Sequence, residues 1–196
     1  MNSPSKIIEV FQRDKREGGN YFQTFGRKFV HTFYLHRYEI SVLKKFFKGR
    51  ILNLGAGKHC GEYGIDFDLR YESDAYTEIH GAVPKPDIVG DVDNLPFKEK
   101  RFDTVIMMHL LEYMPFPAVT LRNVVSLLKQ GGFLCGTLPN GERRLAYSYF
   151  RDKGHIQAWT REEFSKWLDL HGFNVIQMGK MRKLFNQWSY DFVIGV

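Results

Sequence analysis

The chain has 196 residues, of which 43% are hydrophobic and 15% aromatic, enough for one ordinary hydrophobic core. It carries 28 Lys and Arg against 22 Asp and Glu, and the basic excess lies within residues 1–50. No stretch is apolar over the roughly 18 residues that a membrane span needs, and the start of the chain lacks the apolar core of a signal peptide. We therefore expect a single cytoplasmic domain over residues 1–196, in which residues 1–48 form a helical N-terminal extension.

The cysteine content argues against a metal site or a disulfide framework. Cys60 and Cys135 are the two cysteines, and they are too few and too far apart for either. Cys135 lies inside the apolar run GGFLCGTL, which predicts a buried thiol. We expect no metal cofactor.

Two helices are predicted in the N-terminal extension. The first covers residues 4–16 and ends before a pair of glycines. The second is aromatic and basic, and it leads towards the first strand. Its apolar face is indicated by the spacing of Leu35, Glu39, Val42, Leu43 and Phe46. The positive charge here is either a solvated helical surface or a surface for an anionic partner, and the sequence leaves both readings open.

Short apolar runs follow at intervals that alternate with helical segments. Such runs are typical of strands buried on both faces of a parallel sheet. The predicted strands are residues 51–54, the acid-ending run after the glycine loop, 87–90, 104–108 and 133–138. A helix that begins at Pro117 and stops at Gly131-Gly132 connects the last two of these strands.

The C-terminal part predicts one more helix and two more strands. Thr160 and Glu163 have the spacing of a capping box at the start of the helix. The alternating runs FNVIQMGKM and WSYDFVIGV predict an antiparallel pair at the edge of the sheet. Strands that alternate with helices predict a doubly wound, three-layer α/β/α fold.

The sequence GAG at residues 55–57 directly follows the first strand and indicates a ligand-binding loop. A phosphate-binding P-loop is excluded, because it requires glycine at position 52 and Ser or Thr at position 59, where the chain has Leu52 and His59. A dinucleotide site is excluded as well, because the acids after the next strand come too soon. The glycines therefore indicate a loop whose backbone passes close to some other ligand.

Polar side chains follow the other predicted strands. Asp66 and Asp68 share one face of the second strand, and either carboxylate could accept both hydroxyls of a ribose. Asp91 ends the third strand and His109 follows the fourth. Ligands of open α/β sheets bind at this edge, so we expect these residues to lie along one cleft.

Five motifs occur together between about residues 50 and 140: LNLGAG, GIDFD, GDVDNLPF, RFDTVIMMHLLEY and LLKQGGFLCGTLPN. In this order they resemble the class I methyltransferases that depend on S-adenosylmethionine (SAM). The resemblance implies SAM as the cofactor. It also implies a seven-stranded, mostly parallel sheet whose last strand is antiparallel.

The resemblance further implies which residues contact the cofactor. Residues 55–57 would face its methionine part, Asp66 or Asp68 its ribose and Asp91 its adenine amino group, and Val92 would offer its backbone N–H to the ring. The implied cofactor contacts are Gly55, Ala56, Gly57, Asp66, Phe67, Asp68, Asp91, Val92 and His109.

The chain departs from the family between the glycine loop and the second strand. Many members have a full helix there, whereas residues 58–63 can hold one turn at most. A sulfonium cofactor does not need the helix dipole that a pyrophosphate uses, so the shortening is compatible with SAM. A similar shortening occurs in members that resemble methyltransferases of sugar and surface-glycan pathways, which points to a glycan-type acceptor.

Methyl transfer from a sulfonium requires chiefly that acceptor and methyl group are aligned. His109, beside the expected methyl position, is the candidate general base for a hydroxyl acceptor, and its alternative role is to pack on the cofactor. Residues 1–48 and 141–155 combine aromatic and basic side chains, which suits a lid over a polar or anionic acceptor. The alternatives are an RNA methyltransferase, or a SAM-binding protein that assists a partner without catalysis.

Overall fold

The computed structural model describes residues 37–69, 84–141, 155–179 and 189–196. The helix predicted over residues 4–16 and most of the proposed lid lie outside this part. The described α-helices are α1 (37–43), α2 (Pro117–Ser126) and α3 (Arg161–Leu170). The strands are β1 (Ile51–Leu54), β2 (Ile65–Asp68), β3 (Ile88–Val89), β4 (Phe102–Met108), β5 (Leu128–Pro139), β6 (Val175–Met178) and β7 (Ser189–Gly195).

The seven strands form one sheet in the order β3-β2-β1-β4-β5-β7-β6. Strands β1 to β5 pair in parallel, and β7 lies antiparallel between β5 and β6. This confirms the predicted doubly wound α/β fold. It also confirms the antiparallel pair β6 and β7, but only β6 is at the edge.

Helices cover both faces of the sheet, as the three-layer prediction requires. On one face, α2 and α3 bury residues such as Leu121 and Phe164 against the main hydrophobic core. On the other face, Leu43 of α1 packs against Cys135 and Val193. Side chains of successive strand residues point to opposite faces, so Ser189 and Asp191 lie on the same face as Val193. Polar residues of β7 are therefore brought under α1.

The helix α1 is part of the folded body. Leu43 is fully buried, Ile40 is 5% exposed, and a 3₁₀ turn over Lys44–Phe46 continues the chain towards β1. The ring of Phe46 meets that of Phe133 edge-on at 5.5 Å between centroids. This part of the predicted N-terminal extension thus packs on the sheet, as the spacing of its apolar residues indicates.

The start of β5 differs from the prediction. Gly131-Gly132 does not end the preceding helix, since α2 ends at Ser126 and β5 already begins at Leu128. The register between β4 and β5 shifts at this point, and Gly131 has a φ of +77°. The glycines therefore allow an irregularity inside the strand.

The capping box predicted for α3 is present. The hydroxyl of Thr160 accepts the N–H of Glu163 at 3.1 Å, and the Glu163 carboxylate accepts the N–H of Thr160 at 2.8 Å. These two bonds satisfy N–H groups that have no partner within the helix.

Within the described ranges, no helix has the length and apolarity needed to cross a bilayer.

Candidate functional site

The loop after β1 is tied to the end of β2 by hydrogen bonds. Gly55 donates its N–H to the carbonyl of Phe67 at 2.8 Å, and Gly57 donates its N–H to the carboxylate of Asp68 at 2.6 Å. A single 3₁₀ turn over Gly57–His59 follows, in place of a full helix. The structure thereby confirms that the connection between β1 and β2 is too short for the long helix found in many dinucleotide-binding folds.

Two glycines of this loop adopt a left-handed backbone that other residues rarely adopt. Gly55 has a φ of +66° and Gly57 a φ of +55°. A Cβ atom on Gly55 would meet the side chain of Leu110 at 3.2 Å, whereas one on Gly57 would meet no atom of the described chain within 4 Å. Gly57 therefore faces open space at the carboxyl edge of the sheet.

The structure gives different surroundings to the two acids of β2. Asp66 is 2% exposed, and its two oxygens accept the side-chain N–H of Asn53 at 2.9 Å and the N–H of Gly61. Asp68 is half-buried at the end of the strand, where it accepts the Gly57 N–H. Asp66 thus holds the loop from inside, and Asp68 lies where the loop opens.

The side chain of Phe67 points away from this edge. It is 1% exposed, packs edge-on against Phe97 and faces Gly90, where a Cβ would meet its ring at 2.7 Å. The backbone carbonyl of Phe67 accepts a hydrogen bond from the N–H of Gly55. Phe67 therefore supports the loop from the core, and only its backbone reaches the cleft side.

The segment after β3 places an acid at the start of a single 3₁₀ turn. Asp91 is exposed and caps a 3₁₀ turn over Val92–Asn94, with its Oδ1 accepting the N–H of Asp93 at 2.9 Å. A carboxylate has room for further donors beyond this one. Val92 is the first residue of the turn, and its N–H has no acceptor within the turn.

His109 directly follows β4 in a strained backbone conformation. Its φ is +50°, which is uncommon for a residue other than glycine. Its N–H donates to the carbonyl of Thr137 at 3.1 Å, and its neighbour Leu110 lies against Gly55. Strained residues of this kind occur often at functional sites.

Two buried carboxylates face the ring of His109. Nε2 lies 2.9 Å from Oε1 of Glu39, and Nδ1 lies 3.5 Å from Oε1 of Glu112, both glutamates being 1% exposed. Burial of the ring lowers the pKa of His109, but the charges of Glu39 and Glu112 and their hydrogen bonds outweigh it, so the pKa is raised well above its usual value. The two carboxylates therefore favour the protonated form of the ring.

The residues predicted from the sequence thus gather along the carboxyl ends of β1 to β4, in the order that their strands have in the sheet. Sequence reasoning missed the role of Glu39, which has the spacing of an apolar position on α1 although it is acidic. It also missed Asn53, whose amide fixes Asp66. In the described ranges, no three His, Cys, Asp or Glu side chains come together as a metal site would require.

Comparison of the whole chain with known proteins agrees with this geometry. A family model described as a methyltransferase domain matches residues 29–178. The chain is 30% identical over 148 residues to a demethylmenaquinone methyltransferase of Staphylococcus saprophyticus. That alignment covers 69% of this chain and 62% of the relative, so the chain spans less than two thirds of the relative's length.

Solved structures of other proteins share this fold. A SAM-dependent methyltransferase of Thermotoga maritima, described as a possible histamine N-methyltransferase, has a TM-score of 0.59 and 21% identity, and the match covers 89% of this chain and 97% of that one. A SAM-dependent methyltransferase of Archaeoglobus fulgidus has a TM-score of 0.61 and 19% identity, with 89% and 99% covered. At these identities the likeness establishes the fold.

Proposed function

The chain belongs to the methyltransferase-domain family, and on that premise we propose that the protein transfers a methyl group from SAM to a polar or anionic small molecule or a glycan-type acceptor. The single observation that carries the cofactor assignment is the open left-handed loop at Gly57, bonded to the strand-end carboxylate of Asp68. A site of this kind admits a ligand close to the backbone and offers its hydroxyls a carboxylate acceptor.

The residues at the carboxyl edge fit SAM in chemical character. The backbone of residues 55–57 would hold the methionine part. Asp68 is a better ribose acceptor than Asp66, because Asp66 is 2% exposed whereas Asp68 is half-buried at the end of the strand. Asp91 and the N–H of Val92 would bind the adenine. Bound SAM supplies an activated methyl group on a sulfonium.

The chain's contribution to such a reaction is alignment of the acceptor. His109 faces two carboxylates that favour its protonated form, and its role as general base for a hydroxyl acceptor stays a prediction. Its neighbour Leu110 lies against Gly55 of the glycine loop, so His109 would lie on the acceptor side of the cleft. A base is not essential when the acceptor is ionised or already nucleophilic.

The acceptor class is supported by the composition of two segments of the sequence. Residues 1–48 and 141–155 are rich in aromatic and basic residues, which suits a polar or anionic molecule. A quinone-type acceptor is a second candidate, favoured by the 30% identity to the demethylmenaquinone methyltransferase. RNA is a third, and a protein that binds SAM without catalysis is the remaining alternative.

Isothermal titration calorimetry with SAM and with its demethylated product tests the cofactor. We expect both to bind, with NAD as the control ligand that does not. Absence of heat with SAM at millimolar concentration would overturn the assignment, and binding of NAD in its place would point to a dinucleotide site.

A second experiment identifies the acceptor. The purified protein is incubated with methyl-labelled SAM and separate pools of polar metabolites, glycan precursors, demethylmenaquinone and RNA. Label in the metabolite or glycan pool supports the proposal, and label in the quinone or RNA pool alone replaces it with the corresponding alternative. SAM binding without label in any pool favours a non-catalytic partner protein.

A further inference from the structure

Glu39 is a buried acid that the family assignment does not explain. It is carried by α1, more than 60 residues before His109 in the sequence, yet its Oε1 lies 2.9 Å from Nε2 of the His109 ring. The same oxygen accepts a hydrogen bond from the hydroxyl of Ser189 on β7. One carboxylate oxygen therefore joins α1, the end of β4 and the start of β7.

A carboxylate that is 1% exposed is costly unless charged or hydrogen-bonding groups compensate it. Among the described residues, Ser189 supplies one hydrogen bond, and the ring of His109 supplies a positive charge when it is protonated. The arrangement is therefore mutual: Glu39 is stabilised by the imidazolium, and the imidazolium is held in place by Glu39.

The ring is also restrained from its second side. Glu112 lies in the 3₁₀ turn that follows β4, and its Oε1 is 3.5 Å from Nδ1 of His109. Among the described residues, neither oxygen of Glu112 has a well-aligned hydrogen-bond donor. The His109 cation is thus the group that compensates this second buried carboxylate.

We propose that Glu39 is a positioning residue, which binds Nε2 of His109 and thereby fixes the imidazole ring at the acceptor side of the cofactor loop. The inference rests on the proposed function for the identity of the ligand. Its geometric basis does not depend on the identity of the ligand. Leu110, the next residue after His109, lies next to the cofactor loop, since a Cβ atom added to Gly55 would be 3.2 Å from the Leu110 side chain. It follows that α1 takes part in forming the site.

Several described elements place groups near the cluster. The Tyr190 hydroxyl is close enough to feel the charge of Glu112, and burial together with that charge raises the pKa of Tyr190. The surrounding groups are Glu39 of α1, Glu112 of the turn, Ser189 and Tyr190 of β7 and the Thr137 carbonyl of β5. Glu39 is the one among them that bonds the ring directly from α1.

The test is an NMR titration of the histidine side chains in the full chain, with the His109 signal assigned by its loss in His109→Asn. An ordinary histidine side chain titrates with a midpoint of about pH 6.5. In the unsubstituted protein we expect the His109 signal to keep its imidazolium position well above that pH. In Glu39→Gln, which keeps the size and a hydrogen-bond acceptor but removes the charge, the midpoint should fall by at least about one pH unit. Glu162→Gln, on the exposed surface of α3, is the matched control and should leave it unchanged.

Titration with SAM gives a second readout. The His109 signal should shift on SAM addition and shift differently with the demethylated product, which lacks the methyl group. In Glu39→Gln and Glu39→Ala this difference should be lost when each ligand is added to a saturating concentration set by calorimetry.

Two outcomes would overturn the proposal: an unchanged His109 midpoint in Glu39→Gln, or an undiminished SAM response in both Glu39 variants. If Glu39→Ala does not fold, the Gln variant still decides. If the unsubstituted protein does not bind SAM, the proposed function fails, but the titration midpoint still tests whether Glu39 holds the ring.

Discussion

The backbone N–H of Gly57 and the carboxylate of Asp68 are joined at 2.6 Å, which ties the loop after β1 to the last residue of β2. Two residues earlier, Asp66 has both oxygens bonded within the protein and almost no exposed surface. The two acids of one strand thus have separate tasks. Asp66 supports the loop from inside, and Asp68 ties it to the strand at the opening of the cleft.

Substitution of these two acids should affect different properties. Asp68→Ala should weaken SAM binding by about 1–3 kcal/mol through a lost hydrogen-bond acceptor, and it should destabilise the fold less than Asp66→Ala because Asp68 is half-buried. Asp66→Ala should instead lower the free energy of unfolding by about 1–3 kcal/mol, because the buried amide of Asn53 and the N–H of Gly61 lose their acceptor. Calorimetry and urea unfolding measure the two effects, and the reverse pattern would show that Asp66 holds the ribose.

Asp91 should contribute to cofactor binding independently of its role as a cap. Asp91→Ala removes both functions and should weaken SAM binding by about 1–3 kcal/mol. Asp91→Ser keeps a good N-cap residue but is too short to reach an adenine amino group. If affinity is restored in the Ser variant, the loss in Ala arises from the cap alone and the adenine contact lies elsewhere.

The open side of Gly57 should be sensitive to a single methyl group. Gly57→Ala adds a Cβ that no described atom of the protein opposes, but that points to the space expected for the cofactor. Gly61→Ala is the matched control, since it also has a positive φ and open space around its Cβ. Both should lose about 1–2 kcal/mol of stability from backbone strain. Only Gly57→Ala should lose SAM affinity by calorimetry, and equal affinity in the two variants would contradict a ligand at this loop.

Much of the fold follows from local patterns in the sequence. The apolar runs of β1 and β4 and the capping box of α3 lie where periodicity and end signals predict them, because local propensity and burial agree there. Gly131-Gly132 shows where such reasoning fails. The residues read as a helix stop, yet the pairing of β5 with β4 extends the strand back to Leu128, and a tertiary interaction decides the local structure.

The candidate site could be predicted in part for the same reason. Strand-end residues such as Asp91 are found by their position after an apolar run, since parallel strands bring their carboxyl ends together. Which of Asp66 and Asp68 faces the cleft could not be predicted, because residues two apart share a strand face and only the loop's hydrogen bonds separate them. The partnership of Glu39 with His109 joins distant segments, and no spacing rule encodes it.

Packing of α1 should make a measurable contribution to stability. Leu43 is fully buried against Cys135 and Val193, so Leu43→Ala should cost about 2–5 kcal/mol through lost burial and a cavity. Lys44→Ala, at the next and exposed position, should change the free energy of unfolding by less than about 0.5 kcal/mol. Equal effects in urea unfolding would mean that α1 is not docked on the sheet as described.

The charged state of His109 should make stability depend on pH. Its pKa is raised in the folded protein, since the charges of Glu39 and Glu112 outweigh the effect of burial. The folded state therefore binds the proton more tightly than the unfolded chain. This stabilisation is fully present below the unfolded pKa of about 6.5 and is lost as the pH rises through the folded pKa.

His109→Asn is the variant that tests this dependence with least backbone strain, because asparagine tolerates the positive φ of +50° better than most residues. The free energy of unfolding, measured in urea at pH values from 6 to 9, should differ most between the variant and the unsubstituted protein at the lowest pH. The difference should shrink as the pH rises. Leu43→Ala removes no titrating group, so its cost should stay constant across the same range. A pH-independent cost for His109→Asn would mean that the ring is not held as an imidazolium between the two carboxylates.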